Sequence, residues 1–336
     1  MTVLKYILFS PLDLILLIFG IFYFRIAGAT PHVSYKAMLR LFYIYGGVVN
    51  DLTSFFVRVK SINQITNIKN DRIVEKINHD GFFVKKNFLE QNDINDLINL
   101  VKKTEFRLRN TDKEKFSDLK IFFDPNNLRS VLYETESNYL LSQRIIQKII
   151  SNSEIYKIAR EYFNSEPFFD HVSLSISTTY NKKDNTDGDD NAAQMYHFDM
   201  DRPKWLKFLV YVTDVGENNG PHCFVKCTHK NNGIPFKFRS KGYIRLTDND
   251  VKKIGLLIEK FVEKSGTAII EDTRGLHKGE KLKAGYRILL NIQVNNSMFG
   301  SAVPIYKFDK IHEEYKNNFK ELKNVFKYST NITDFI

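Results

Sequence analysis

Cysteine is scarce in this sequence of 336 residues, which contains only Cys223 and Cys227. The two are at positions i and i+4, so on one strand their side chains would share a face. No second pair exists to complete a zinc site. We therefore interpret both as buried or reduced thiols, which fits a reducing compartment, and we expect the chain in the cytoplasm.

The sequence also lacks a dense basic stripe and any nucleic-acid-binding motif. Lysine and arginine number 49 against 39 aspartates and glutamates, which gives a formal net charge of +10. These positive residues are scattered along the chain. A basic excess of this kind favours anionic partners. We expect no nucleic-acid partner and predict contact with an anionic membrane surface.

Long uncharged runs are rare, and the one from Leu14 to Phe24 lies near the N-terminus. Ser10 as N-cap, followed by Pro11, predicts a helix from Pro11 to Ile26. Its length of about 24 Å falls short of a hydrocarbon core of roughly 30 Å. Three interpretations stay open: a membrane-inserted anchor, a buried core helix, and a signal peptide ending near residues 27–29.

A second helical stretch follows at residues 33–60, where apolar and aromatic residues alternate with lysine and arginine. Gly46 and Gly47 interrupt it. Such a stretch suits a helix in the membrane interface or a helical hairpin packed on a catalytic domain. The Asn-rich residues 61–72 are typical of a linker. We therefore predict an N-terminal hydrophobic segment at 1–70 and a second domain at 71–336.

Between Met195 and Val294 the chain holds two clusters of ligand-type residues beside apolar, strand-like runs. His197 and Asp199 are two positions apart, so on a strand both would point to one face. His277 lies on a later strand, and two histidines with one carboxylate form a face that suits Fe(II). Arg287, ten residues beyond His277, carries a planar fork that binds carboxylates.

These clusters resemble the phytanoyl-CoA dioxygenase-like family of Fe(II)/2-oxoglutarate oxygenases. Asn219-Gly220-Pro221, the segment Lys226–His229 and the opening Asp80-Gly81-Phe82 extend the resemblance over roughly residues 73–300. Lys226, Cys227 and Thr228 depart from the family's Pro-Gly-Ser-His loop.

The resemblance implies an α+β fold with a double-stranded β-helix (jelly-roll, cupin-like) core and flanking helices. It further implies Fe(II) held by His197, Asp199 and His277, with O₂ and 2-oxoglutarate as co-substrates. Arg287 would bind the far carboxylate of 2-oxoglutarate. The implied reaction is hydroxylation of a small-molecule or lipid-linked substrate that the sequence does not identify.

Periodicity places further elements along the second domain. Strands are predicted at 81–84 and 171–180 and helices at 91–103, 139–150, 154–163, 247–261 and 310–326. The acidic residues 181–191 fail the register of a calcium loop and are predicted to form a rim loop. Two other functions remain open: a catalytically silent jelly-roll binding module and a membrane-interaction protein.

Overall fold

The computed structural model describes residues 2–59, 71–110, 115–180, 193–243, 245–302 and 305–336. The predicted rim loop at 181–191 and nearly all of the predicted linker at 61–72 lie outside these ranges. Eleven strands are present in the described ranges: β1 (Phe82–Lys85), β2 (Glu105–Arg109), β3 (Lys120–Phe122), β4 (Leu132–Glu134), β5 (Phe168–Thr178), β6 (Trp205–Tyr211), β7 (His222–Val225), β8 (Ile258–Phe261), β9 (Ala268–Glu271), β10 (His277–Gly279) and β11 (Tyr286–Asn295).

The strands form two antiparallel sheets. The major sheet has the order β1-β9-β6-β11-β5-β4-β2-β3 and the minor sheet the order β10-β7-β8. The sheets pack on each other through apolar side chains from both, among them Phe82 and Ile269 of the major sheet and Phe224 and Phe261 of the minor sheet. This arrangement confirms the predicted α+β jelly-roll core.

Apolar and polar side chains alternate along the central strands, so the major sheet has one apolar face and one polar face. On β5, Val172, Leu174 and Ile176 are fully buried in the main hydrophobic core. The intervening Ser173 and Ser175 are only partly buried and belong to the face that carries Lys207 and Asn291 on β6 and β11. The apolar face is covered by helices, so the polar face is the one turned toward the minor sheet.

Twelve α-helices lie in the described ranges: α1 (Thr2–Ala27), α2 (His32–Tyr45), α3 (Val48–Val57), α4 (Asp71–Asp80), α5 (Gln91–Lys102), α6 (Ser137–Leu141), α7 (Arg144–Ile150), α8 (Ser153–Phe163), α9 (Phe236–Arg239), α10 (Asp248–Lys252), α11 (Lys316–Glu321) and α12 (Lys323–Phe326). Residues of α5, α7, α8 and α12 share the main core with β5 and β11. Two predicted helices are divided into shorter ones. The one at 139–150 is divided between α6 and α7, and the one at 310–326 between a 3₁₀ turn, α11 and α12.

The predicted helix at 247–261 was wrong in its second half. Helix α10 has a capping box at Thr247 but spans only Asp248–Lys252, and Gly255 then adopts a positive φ of 77°. Residues Ile258–Phe261 form β8 because they pair with β7. Long-range pairing outweighs local helix propensity here.

Helix α1 differs from the predicted helix Pro11–Ile26 in where it starts. Helix α1 extends upstream to Thr2, so its 26 residues measure about 39 Å, and Ser10 is not its N-cap. Asp13 is 1% exposed and binds Arg40 of α2, with 2.6 Å between Asp13 Oδ1 and Arg40 Nη2. The aspartate joins α1 to α2 because a buried carboxylate requires a partner.

Much of α1 nevertheless exposes apolar side chains. The segment Ser10–Ala27 is long and apolar enough to cross a membrane, and only 17% of it is buried. Exposed residues on α1 and α3 surround a groove of about 550 Å³ between the three helices. This surface, called the apolar N-terminal face below, comprises Leu14, Ile15, Ile18, Phe19, Phe22, Ile26, Leu52, Phe55 and Phe56.

The two thiols do not share a strand face. Cys223 is buried on β7, whereas Cys227 follows the strand in a turn with a φ of 65°. Both are free cysteines, as predicted. The predicted common face was wrong because β7 ends at Val225.

Candidate metal centre

Two separate backbone segments bring His197 and His277 together. The residues form an isolated antiparallel bridge, in which His197 N donates to His277 O over 3.0 Å and His277 N donates to His197 O over 2.9 Å. His277 begins β10, but no strand runs through His197 and Asp199, so the expected placement of these two residues on one strand was wrong. The chain leaves the bridge there because Asp199 N donates to Thr273 O, 2.8 Å away.

Asp199 completes a compact cluster with the two imidazoles. Its Oδ1 lies 3.8 Å from His197 Nε2 and its Oδ2 lies 3.5 Å from His277 Nε2. All three ligand atoms lie within 4.8 Å of one another, a separation that one metal ion can bridge. The structure therefore brings together the three residues that the sequence nominated, including His277 from 78 positions away.

Both imidazoles are oriented by the backbone. His197 Nδ1 lies 2.9 Å from Met195 O and His277 Nδ1 lies 2.9 Å from Gly275 O. A carbonyl accepts only, so each Nδ1 carries the proton and each Nε2 presents a lone pair to the cluster. Burial lowers the pKa of both histidines, well below the ordinary value for His197, which keeps them neutral. Neutral imidazoles with free Nε2 atoms fit a divalent metal ion.

Lys207 contacts the carboxylate of the cluster and was not nominated from the sequence. Its Nζ lies 2.6 Å from Asp199 Oδ2. Burial alone would raise the pKa of Asp199, but the charge and the hydrogen bond of Lys207 outweigh it and lower that pKa strongly. Asp199 is therefore an anion, and Lys207 fixes one of its oxygens. The signal in the sequence was a single lysine within the apolar strand β6.

Arg287 is on β11, and its guanidinium lies beside β10, the strand that begins with His277. It donates from Nη1 to Gly220 O and from Nη2 to Ser177 Oγ, the latter over 3.3 Å. A Cβ at Gly279 would lie 2.9 Å from Arg287 Nη2, so the absent side chain makes room for the guanidinium. Gly279 is two residues beyond His277, which is about 7 Å along a strand.

The guanidinium of Arg287 is a buried cation that lacks a carboxylate partner among the described residues. It is 7% exposed, and its Nε has no hydrogen-bond partner there. Burial lowers the pKa of Arg287 because the charged form is poorly solvated. An anionic ligand would supply the missing charge.

A buried pair beside the cluster was not predicted from the sequence. His222 Nε2 lies 2.9 Å from Glu271 Oε2, so the pair links β7 of the minor sheet to β9 of the major sheet. The ring of His222 is 5.7 Å from that of His277, measured between centroids. Neither residue belongs to a recognisable short motif, because each faces the interior only through its register in the two sheets.

The N-terminal helices form one wall of the centre. Phe42 of α2 packs against Phe198, with ring centroids 5.4 Å apart. Asn50 of α3 donates to Pro203 O over 3.2 Å, just beyond the first ligand pair. Asp51 of α3 lies 3.0 Å from Arg274, in the turn before His277. The segment predicted as a separate unit thus supports both ligand-bearing loops.

Among known proteins, this chain is similar to several solved structures. No family model matches the chain, and no curated protein matches it. The non-heme alpha-ketoglutarate-dependent epimerase SnoN from nogalamycin biosynthesis is 13% identical, with a TM-score of 0.48 over 67% of this chain and 82% of that one. For EctD from S. alaskensis with bound Fe, the identity is 13% and the TM-score 0.48 over 71% and 83%. HygX from Streptomyces hygroscopicus, with nickel and 2-oxoglutarate bound, is 13% identical, with a TM-score of 0.47 over 73% and 93%.

Proposed function

We propose that this protein is an Fe(II)- and 2-oxoglutarate-dependent dioxygenase of the phytanoyl-CoA dioxygenase type. The observation that carries the proposal is the convergence of His197 Nε2, Asp199 and His277 Nε2 within 4.8 Å. Two imidazoles and one carboxylate on one face of a metal leave positions open for a co-substrate and O₂. Bound iron and 2-oxoglutarate would supply the oxidising chemistry, and the protein orients and shields the reaction.

The position of Arg287 supports 2-oxoglutarate as the co-substrate. The guanidinium lies about two strand residues from His277, a span that suits a short dicarboxylate joining the metal to the arginine. The buried cation lacks a counter-ion among the described residues, and a bidentate carboxylate is the partner that a guanidinium prefers. Arg287 would therefore hold the carboxylate that points away from the metal.

The polar face of the major sheet indicates a substrate with hydrogen-bonding groups. Ser173, Ser175 and Asn291 lie on this face, and the buried Asn291 Oδ1 has no partner among the described residues. We propose a polar small molecule, or the polar part of a lipid-linked one, as the substrate that is hydroxylated.

We further propose that the protein is cytoplasmic and contacts a membrane through the apolar N-terminal face. Exposed aromatic residues there, including Phe55 and Phe56, adjoin Arg58, whose guanidinium lies 4.8 Å from the ring of Phe55. Arg25 and Lys36 are also exposed nearby, and the chain carries a net charge of +10. Aromatic and basic residues around an apolar surface suit an anionic bilayer.

Iron binding tests the metal centre. His277→Ala should abolish stoichiometric Fe(II) binding under anaerobic conditions, because two remaining ligands hold a labile ion poorly. The change leaves the hydrogen bonds of the His277 backbone intact, so circular dichroism should match the parent protein. His312→Ala, in the C-terminal segment, serves as the matched control. Equal iron content in the parent protein and His277→Ala after dialysis would contradict the assignment.

A catalytically silent binding module is the competing function, and the Lys207–Asp199 contact favours it because the ammonium already occupies one carboxylate oxygen. A parent protein that folds without binding Fe(II) would support that function instead.

A further inference from the structure

The metal centre opens to solvent beside helix α2. Asp201 is exposed, and the side chain of Asp199, two residues earlier, is still 14% exposed. Tyr35 of α2 donates from its hydroxyl to Met200 O over 3.3 Å, so α2 borders this opening. Partial burial and the nearby charge of Asp199 raise the pKa of the Tyr243 phenol to about 12, which places Tyr243 at the opening as well.

The C-terminal end of α1 is held against the same opening. Phe24 of α1 packs edge-on against Phe299, with ring centroids 5.5 Å apart. Two residues further along, Ser301 N donates to Asp201 O over 2.9 Å. A Cβ at Gly300 would lie 2.1 Å from that same carbonyl oxygen, so this close approach requires glycine. The metal-ligand loop and the end of α1 are therefore joined through one short segment.

The side chains exposed around this end of α1 suit a bilayer. Phe22 and Ile26, both part of the apolar N-terminal face, are 66% and 88% exposed. Arg25 and Lys36 are exposed close to them in the sequence. The chain contains no aspartate or glutamate from Leu14 to Asn50, so these helices present apolar and basic groups. Such a combination binds anionic lipid surfaces.

We propose that the substrate is a membrane lipid whose polar headgroup enters the opening beside Asp201 and Tyr243, while its acyl chains stay in the bilayer. This inference rests on the proposed function. An exposed apolar surface marks an interaction site, and here it adjoins the opening of the metal centre. The bilayer that covers this surface would therefore also present the substrate.

The two parts of such a lipid match the two surfaces. The headgroup would meet the polar face of the major sheet, and the acyl chains would remain on the side of the apolar N-terminal face. In the proposed reaction a C–H bond of the headgroup becomes C–OH with one atom of O₂. The other oxygen atom enters succinate as 2-oxoglutarate loses CO₂.

The test compares two probes from the cells in which the protein occurs. Full-length protein with Fe(II) and isotope-labelled 2-oxoglutarate is assayed for labelled succinate. One probe is unilamellar vesicles of the total lipid extract, and the other is the protein-free, water-soluble extract of the same cells. We expect the vesicles to raise succinate release above the rate without additions, and the water-soluble extract to leave that rate unchanged.

Variants separate docking on the bilayer from entry of the headgroup. Ile26→Glu should raise the half-saturating lipid concentration about tenfold and keep the maximal rate within about twofold, because it weakens bilayer contact only. Phe22→Glu replaces it if that variant does not fold. Leu257→Glu, at a position that is 72% exposed and outside α1 to α3, is the matched control. Tyr243→Ser should lower the maximal rate roughly five- to tenfold through the loss of an aromatic contact, with vesicle flotation unchanged.

The outcomes distinguish this inference from the proposed function. A parent protein that binds neither Fe(II) nor 2-oxoglutarate refutes the oxygenase assignment and the lipid substrate with it. A parent protein that binds both but is not stimulated by the vesicles refutes only the lipid substrate, whatever the water-soluble extract does. An unchanged half-saturating lipid concentration in folded Ile26→Glu or Phe22→Glu would overturn the route past the end of α1.

Discussion

At the scale of single residues, the candidate centre depends on hydrogen bonds that leave the ligand atoms available. The backbone carbonyls of Met195 and Gly275 engage Nδ1 of His197 and His277. Lys207 forms an ion pair with Oδ2 of Asp199, and Oδ1 is not part of that pair. These contacts fix the tautomers and the rotamers before a metal binds, which lowers the entropy cost of binding.

Replacement of Arg287 by lysine tests co-substrate recognition. Arg287→Lys keeps the positive charge but removes the planar fork, so the KM for 2-oxoglutarate should rise about tenfold or more. Steady-state kinetics with varied 2-oxoglutarate measure the change, and iron content should remain equal to that of the parent protein. A change of less than twofold would mean that another residue binds the far carboxylate.

His229 gives a pH dependence of stability that is separate from the metal centre. Burial lowers its pKa to about 4, whereas an unfolded histidine has a pKa near 6.5. The unfolded state therefore binds a proton between these values and the folded state does not. The contribution of His229 to stability should be constant above about pH 6.5 and should fall by roughly 3 kcal/mol as the pH drops toward 4.

Urea unfolding between pH 7 and pH 4.5 checks this expectation by comparing the parent protein with His229→Gln. The variant should lose less stability on acidification, since the glutamine does not titrate. Equal slopes of free energy of unfolding against pH for the two proteins would contradict the assignment to His229.

At the scale of elements, the turn that precedes β10 joins the metal centre to two helices. Arg274 and Asp272 in this turn form a buried ion pair with 2.7 Å between Arg274 Nη2 and Asp272 Oδ2. Tyr162 of α8 donates to Asp272 Oδ2 over 2.5 Å, and Thr273 O accepts from Asp199 N. The position of His277 is therefore coupled to α8 and, through Asp51, to α3.

Removal of the carboxylate in this turn should be costly. Asp272→Ala leaves Arg274 buried without its main partner and should lower the free energy of unfolding by about 3–5 kcal/mol. Asp51→Ala is the matched control. It removes the other carboxylate of Arg274, but this one is 48% exposed, and its loss should cost no more than about 1 kcal/mol. Chemical denaturation measures the free energy of unfolding of both variants. Similar losses would show that the buried Arg274–Asp272 pair stabilises the fold no more than the exposed Arg274–Asp51 pair.

At the scale of the whole molecule, the N-terminal helices have two faces. One packs on the ligand-bearing loops through Phe42, Asn50 and Asp51, and the other is the apolar N-terminal face. The domain boundary at residue 70 stays a prediction, but α1 to α3 are more than a removable anchor. Deletion of residues 1–60 would uncover Phe198 and Arg274, so point substitutions test membrane contact more cleanly.

Vesicle flotation tests the membrane contact. The double variant Phe19→Glu/Phe22→Glu places two charges on exposed positions of α1, so binding to vesicles of phosphatidylcholine with phosphatidylserine should fall at least tenfold. Leu119→Glu/Leu257→Glu changes two exposed apolar residues outside α1 to α3 and should bind like the parent protein. A parent protein that stays with the soluble fraction at low salt would refute the membrane proposal, and a dimer that dissociates in the variant would assign the face to a second copy.

Much of the fold followed from local patterns in the sequence. The alternation of residues 171–180 predicted β5, and the apolar spacing of residues 91–103 predicted α5, because both patterns reflect which side chains face a core. Local patterns failed where distant partners decided the conformation. Residues 258–261 pair with β7 as a strand, and Ser10 lies inside α1 instead of capping it.

For the candidate site too, some features follow from the sequence and others only from the tertiary structure. The sequence by itself determined the candidate ligand types, because His197, Asp199, His277 and Arg287 carry a recognisable spacing and their chemistry is intrinsic to their side chains. Only the tertiary structure placed Lys207 against Asp199 and Glu271 against His222, and turned Asp13 inward to Arg40. The reason is physical: these pairs depend on strand register and helix packing between distant segments, which a one-dimensional spacing does not encode.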